Sequence, residues 1–257
     1  QPLPRSGGAN FLVSGNVVFV SDIHMDHEVP KRIERFERFL FEDLPGLECR
    51  HLFLLGDIFN IWYKDTRVAE LYGDRLLDMV GRFVKAGNDL EWVVGNRDFA
   101  LCFDRGLEVP FPLHAGPIFR DLGSRRFYLC HGDNLCKKDY GYHLLHGAIR
   151  QRIPMAAFHS LGSDSQSKIV NMLINLTHEA KKRKAQWRTE PYLPFLRGLV
   201  EEGVDVCIQG HKHDQTYRVL ESESRTGSHF ILPRWFDRAV GLVYEPEPDR
   251  FRFFDLA

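Results

Sequence analysis

The sequence predicts an α/β fold on three observations. Short apolar runs end in polar clusters, stretches of helical period separate them, and the clusters recur at a spacing that fits one strand–helix unit. The clusters are SDIHMDH at Ser21–His27, LLGDIF at Leu54–Phe59, VVGNRDF at Val93–Phe99, LCHGDN at Leu129–Asn134 and IQGHKHD at Ile208–Asp214. Asp22 and Asp57 lie 35 residues apart, Asp57 and Asn96 39, and Asn96 and His131 35. Each interval accommodates one βα unit. From His131 to His211 the interval is 80 residues, too long for one crossover, so an insertion is expected there.

Taken in order, Asn16–Val20 reads as a short apolar strand followed by the first cluster. Val29–Phe41 reads as a helix, with Ile33, Phe36, Phe39 and Leu40 near a 3.6-residue period. His51–Leu55 is a second strand. Arg67–Ala86 carries Val68, Leu71, Tyr72, Leu76, Met79, Val80 and Phe83 on one helical face, and Gly87 is placed to stop it. Glu91–Val94, Phe127–Cys130 and Val204–Ile208 are further strands, each ending in a cluster. The tail reads as strands without helices, at Tyr217–Leu220, His229–Leu232, Val240–Tyr244 and Phe251–Phe254. The insertion, about residues 134–199, looks helical: Tyr140–Arg152, Ser165–Trp187 and then Pro191–Glu202, which returns the chain to the sheet. The expected organisation is a core of residues 11–134 and 200–257 with a cap of residues 135–199 lying over the site.

A length of 257 residues suits one large α/β domain with an insertion. Apolar residues make up 44% and charged residues 27%, which marks a globular rather than a disordered chain. The net charge of −1 argues against general coating of nucleic acid. Five scattered cysteines (Cys49, Cys102, Cys130, Cys136 and Cys207) fit a reduced, cytosolic chain better than a disulfide framework. No run approaches the ~18 apolar residues of a spanning helix. The N-terminal QPLPRSGGANF lacks a basic region followed by an apolar stretch, so no signal peptide is expected.

The clusters offer Asp22, His24, Asp57, Asn96, His131, His211 and His213, oxygen and nitrogen ligands without a thiolate. Such a set suits two hard or borderline divalent metals sharing one carboxylate, the hardware of metal-assisted phosphoester hydrolysis. Asp22 and His24 alternate at a strand end, which puts them on one side, and His211 and His213 repeat that geometry. Asp57, directly after a buried strand and Gly56, is either an N-cap or a bridging carboxylate; His24 and Asn96 favour the bridge. Gly56 would let the backbone approach the metals closely.

The ordered series DxH, GD, GNRD, HGD and GHxH, spanning Ser21 to Asp214, resembles the calcineurin-like metallophosphoesterase superfamily. The resemblance implies a four-layer α/β/β/α sandwich, with two facing mixed sheets and metals at the strand ends. It implies that Asp22, His24, Asp57 and His213 hold one metal and Asp57, Asn96, His131 and His211 the other. Attack by a metal-bridged hydroxide on phosphorus follows, with Asp57, Asn96, Arg97 and His131 as the catalytic set. Many members carry His after the Asn, where it protonates a leaving alkoxide; here the residue is Arg97. Arg gives up no proton at neutral pH but binds phosphate bidentately, which tilts the expectation from monoesterase to pyrophosphatase. The alternative for Arg97 is a structural ion pair with Asp98 or Asp133.

GNRDF followed by HGDNLCKKDYGY at His131–Tyr142, with LLGDIFNIW and GHKH, narrows the similarity to the UDP-2,3-diacylglucosamine hydrolase family of lipid A synthesis. That resemblance implies manganese, cleavage of a nucleotide-linked lipid to UMP and a diacylated sugar phosphate, and work at the cytoplasmic face of the inner membrane. It implies that Asp139 and Tyr142 contact or shape the glucosamine pocket, that Arg97 meets the phosphate, that His211 also binds substrate, and that Thr177, Lys181 and Lys184 stand where the family has a Ser/Asn-rich stretch with lysines. A cap containing Met155, Phe158, Leu161, Ile169, Met172, Leu173 and Leu176 would supply an apolar cleft for acyl chains, or simply pack on the core. KKRK at Lys181–Lys184 would neutralise phosphates or touch anionic lipid, or else be a solvated helix face. Trp62 and Tyr63 would line the pocket mouth or pack, Trp235 would lie near the site, and Asp26, His27 and His143 would support the ligands. No obligate protein partner is evident. The rival readings are a metallophosphoesterase acting on a soluble nucleotide phosphodiester or pyrophosphate, and a scaffold that has kept the fold without catalysis.

Overall fold

The computed structural model describes residues 15–26, 29–60, 62, 73–103, 108–136, 160, 161, 165, 168, 190–236 and 238–257. The first βα units form as the apolar runs require. Strand β1 (Asn16–Val20) lies parallel to β2 (Cys49–Leu55), β2 to β3 (Asp89–Val93), and β3 to the two-residue β4 (Leu113–His114). Helix α1 (Lys31–Arg38) follows β1, with Ile33 and Phe36 buried; the chain continues as a wider π-helical turn, Phe39–Asp43, which buries the adjacent Phe39 and Leu40. Helix α2 (Asp74–Lys85) buries Leu76, Met79, Val80 and Phe83, the face expected from sequence. The expected start of that helix, residues 67–72, lies outside the described residues.

A second sheet is built from β5 (Ile118–Leu122), β6 (Arg125–Cys130), β7 (Val206–Gln209), β8 (Thr216–Glu221) and β9 (Thr226–Ile231). Its order is β5-β6-β7-β9-β8, with β6, β7 and β9 parallel and the edges antiparallel. Strands β10 (Ala239–Glu245) and β11 (Arg250–Leu256) return to the first sheet, whose order is β11-β10-β1-β2-β3-β4. Helix α3 (Leu193–Glu201) covers the second sheet.

Strands buried on both faces read as near-continuous apolar runs, and alternation assigns each side chain to a layer. Val18, Val20, Leu52 and Leu54 pack with the residues of α1 and α2. Val17, Phe19, Phe53 and Leu55 turn the other way and meet Phe127, Leu129, Val206 and Ile208 of the second sheet. Phe19 stacks on Phe53 at 5.3 Å and on Phe127 at 6.0 Å between centroids. Tyr128, Cys130 and Cys207 face outward onto Leu196, Leu199 and Val200 of α3. These three apolar layers make the helix–sheet–sheet–helix sandwich expected from sequence. Leu135, Leu196 and Leu199, all within the segment assigned to the cap, pack on the second sheet.

One polar group crosses the intersheet layer near its β4–β5 end. Glu91 of β3 accepts from Arg120 Nε of β5 at 2.8 Å and pairs with His114 Nε2 of β4 at 2.7 Å; His51 Nε2 lies 3.5 Å away. These partners outweigh the cost of burial and hold the Glu91 carboxyl well below the usual carboxylate range. Among the described residues, no helix is long and apolar enough to cross a membrane.

Candidate metal centre

All five polar clusters meet at one rim. Backbone bonds between neighbouring strand ends extend each sheet into the rim: in the first sheet Asp22 N–H to Gly56 O at 3.0 Å and His24 N–H to Asp57 O at 3.0 Å, and in the second Gly210 N–H to His131 O at 2.8 Å. Side chains then cross from one sheet to the other. The His211 N–H donates to Asp22 Oδ2 at 2.9 Å, and His131 Nδ1 donates to Leu55 O at 2.9 Å, which turns His131 Nε2 toward the centre.

Two groups of donor atoms result. In the first, His213 Nε2 is 3.0 Å and His24 Nε2 3.5 Å from Asp22 Oδ1, and the two imidazole nitrogens are 3.2 Å apart. In the second, His131 Nε2 is 3.5 Å from Asp57 Oδ1, 3.1 Å from Asn96 Oδ1 and 3.2 Å from His211 Nδ1. Bonds of about 2.0–2.2 Å to one ion imply ligand–ligand spacings of roughly 3–3.5 Å, so both groups fit a divalent cation. Asp22 Oδ1 faces both imidazoles, and burial holds His24 below its ordinary pKa, hence neutral. Oxygen and nitrogen donors converging at this spacing make the lining that a divalent cation takes.

The charges agree. Burial works against ionisation of Asp22 and Asp57, but the surrounding histidines outweigh it and hold both carboxyls below the usual range. Burial opposes a proton on His131 as well, yet the Asp57 charge pushes its pKa up to about 10; burial and the His131 charge push His211 down to about 4. Asp57 thus favours a positive charge beside it, which a divalent ion held by the same side chains would supply.

Backbone geometry shows how tightly the rim is built. Asp22 (φ 54°), His24 (51°), Asp57 (52°), His211 (68°) and His213 (65°) all occupy the left-handed region, which costs a non-glycine residue free energy. Gly95 has no room for a side chain: a Cβ there would collide with the Asp57 carboxylate and sit 2.5 Å from its amide nitrogen.

Arg97 lies beside Asp57. Its N–H donates to Asp57 Oδ1 at 2.9 Å, its Nε is 3.5 Å from Asp57 Oδ2, and its Nη1 donates to Asn60 Oδ1 at 2.8 Å and Asn60 O at 3.1 Å. Asn60 Nδ2 in turn donates to Asp26. The alternative pairing of Arg97 with Asp98 is not formed. The Asp98 carboxylate accepts from Gly95 N–H at 2.6 Å and Ile58 N–H at 2.8 Å, tying the second and third clusters together, and burial and the Asp57 charge push its pKa up to about 7.

Asp22, His24, Asp57, Asn96, Arg97, His131, His211 and His213 therefore lie together. Trp62 packs on Phe59 with ring centroids 4.6 Å apart and is 6% exposed, so it does not line a mouth. Trp235 is near, as expected: its N–H donates to Asp22 O, while its ring is buried against Phe36 and Phe39. Burial raises the thiol pKa of Cys130 and Cys207, leaving both inert. His27, Tyr63, Asp139, Tyr142, His143, Thr177, Lys181 and Lys184 lie outside the described residues, as do the apolar cap positions other than Leu161. Asn60 and Ser21, whose Oγ donates to Asp22 Oδ2 at 2.7 Å, escaped sequence reasoning, as did the part of Asp98, which the sequence offers only as a partner for Arg97. The available signal was their position within or one residue beyond a motif.

The pattern of the family described as Calcineurin-like phosphoesterase matches residues 15–215. Over 236 residues the chain is 26% identical to a UDP-2,3-diacylglucosamine hydrolase of Aeromonas salmonicida, covering 91% of this chain and 92% of that protein. A UDP-2,3-diacylglucosamine hydrolase of Stenotrophomonas maltophilia is 27% identical over 233 residues, 86% of this chain and 91% of that one. Among solved structures, a dimetal phosphatase from Danio rerio superposes with a TM-score of 0.52 at 16% identity, covering 94% of this chain and 96% of that one, a likeness of fold alone.

Proposed function

Since the chain belongs to the calcineurin-like phosphoesterase family, and is thus a metal-dependent hydrolase of phosphoester or pyrophosphate bonds, we propose that it cleaves UDP-2,3-diacylglucosamine to UMP and 2,3-diacylglucosamine 1-phosphate. One observation carries the choice of a diphosphate: the group set beside Asp57 is the guanidinium of Arg97. It gives up no proton near neutrality, so it suits a leaving group that departs unprotonated, as a phosphate does from a diphosphate. The names of the two relatives, matched along most of both chains, support the same substrate.

In this reading Asp22, His24, Asp57 and His213 hold one ion, and Asp57, Asn96, His131 and His211 the other, both manganese. Two such ions supply Lewis acidity and a nucleophile drawn from water at neutral pH. The protein's own part is orientation and charge. Arg97, fixed by Asn60, binds the non-bridging oxygens and gains contact as charge builds on them. His131 is locked by its bond to Leu55 O, so its Nε2 cannot turn away. The cap of residues 135–199 would cover the acyl chains, with Asp139, Tyr142, Thr177, Lys181 and Lys184 toward the sugar and phosphates. A substrate with two acyl chains resides in a membrane, so the enzyme would work peripherally, at the cytoplasmic face of the inner membrane.

The test is product analysis with manganese, comparing UDP-2,3-diacylglucosamine with UDP-N-acetylglucosamine, which lacks those chains. UMP released from the acylated substrate alone, and lost in Asp57→Ala, is the expected result. Metal-dependent cleavage of a soluble phosphodiester without turnover of the lipid would refute the substrate while keeping the hydrolase.

A further inference from the structure

Two guanidiniums besides Arg97 stand at the centre. Arg32, in the first turn of α1, donates from Nη1 to the His24 carbonyl at 2.7 Å, and its Nε is buried without a hydrogen-bond partner. Arg234 follows β9, directly before the Trp235 whose N–H is bonded to Asp22. Its Nε too is buried without a partner, and its guanidinium lies 5.0 Å over the ring of Phe236, which is 63% exposed. Arg32, Arg97, Asp22 and Asp57 are its charged neighbours; burial and the two like charges hold Arg234 below the ordinary guanidinium range. Among the described residues, neither Arg32 nor Arg234 makes an ion pair.

Three separate elements therefore bring three like charges to one place: a helix start, the loop after β3 and the loop after β9. Among the described residues, the carboxylates within reach of Arg234, Asp22 and Asp57, belong to the metal centre. With two divalent ions bound, the positive excess grows further. Such a cluster favours an anion of more than one charge, and a single phosphoryl group on the metals and Arg97 would leave Arg32 and Arg234 without a carboxylate or phosphoryl partner among the described residues. Phe236 closes the outer side of Arg234, so the guanidinium is held rather than free to swing into water.

We propose that Arg32 and Arg234 form a second phosphoryl position, which takes the phosphoryl group that is not attacked and makes the site selective for two adjacent phosphoryl groups over one. This rests on the diphosphate reading above and adds residues to it.

The test is calorimetric binding to the manganese-loaded protein, with imidodiphosphate, which carries two phosphoryl groups and resists hydrolysis, against orthophosphate. Arg234→Gln should weaken imidodiphosphate at least tenfold more than orthophosphate, and Arg234→Lys should recover part of the loss. Arg32→Gln should act in the same direction, with melting temperature followed because it also frees the His24 carbonyl. Equal losses on both ligands, no loss, or a wild-type protein that prefers orthophosphate would each overturn the assignment. Failure of the substrate reading shows separately, as absence of UMP release by the wild type.

Discussion

Arg97 owes its place to Asn60, and the cost of removing that support can be worked out. Asn60→Ala deletes the acceptor 2.8 Å from Arg97 Nη1 but keeps the backbone carbonyl at 3.1 Å and the Asp57 carboxylate 3.5 Å from Nε. A hydrogen bond to a charged group contributes about 1.5–3 kcal/mol. Two anchors survive, so the lower part of that range applies, about 1.5–2 kcal/mol, or roughly a ten- to thirtyfold fall in kcat/KM. Arg97→Ala should cost more, on the order of a hundredfold or greater, as for loss of a donor aimed at transition-state charge. If Asn60 acts through Arg97, then adding Asn60→Ala to Arg97→Ala should cost less than about twofold further. The assay is UMP release with saturating manganese, and circular dichroism melting checks the fold. A threefold or smaller effect of Asn60→Ala, or full additivity in the double variant, would refute the reasoning.

Glu91→Gln should destabilise the protein by about 2–3 kcal/mol at pH 7, because it strips the charge opposite Arg120 and His114 at the sheet interface. The folded-state pKa of Glu91 is depressed, so its contribution is present above the unfolded value of about 4.3 and is lost as pH falls through the folded value; urea titrations should show the deficit shrinking below about pH 4. Gly95→Ala should push Asp57 aside and weaken metal binding at least about tenfold, read by metal content after dialysis, and wild-type content would contradict the packing. Chelation should lower the melting temperature by about 8–16 °C, corresponding to about 4 kcal/mol for an ion at a thousand times its Kd, and an unchanged melt would argue against a buried centre.

The seven candidate ligands were legible because each follows an apolar run in a chain where sheet topology brings strand ends to one rim. Two strands were not legible. Leu113–His114 is a two-residue pairing, and Ile118–Leu122 buries only its ends, so neither carries a period. The π-helical turn at Phe39–Asp43 reads from sequence as plain helix, since it changes the hydrogen-bond spacing and not the apolar pattern. Arg32, Asn60 and Arg234 looked like ordinary polar residues, one on a helix and two in loops. Their relation to the centre comes from chain segments far apart in sequence, and single-chain periodicity holds no record of that.

The left-handed backbone at Asp22, His24, Asp57, His211 and His213 has a cost in stability. Each such residue carries a conformational penalty of about 1–3 kcal/mol that glycine would escape. Exchange to glycine at any of the five would relieve that penalty at the loss of a candidate ligand. The sequence carries Asp or His at all five. Among the described residues, five of the seven non-glycine residues with this backbone lie at the rim, so the free energy forgone is concentrated where the candidate ligands meet.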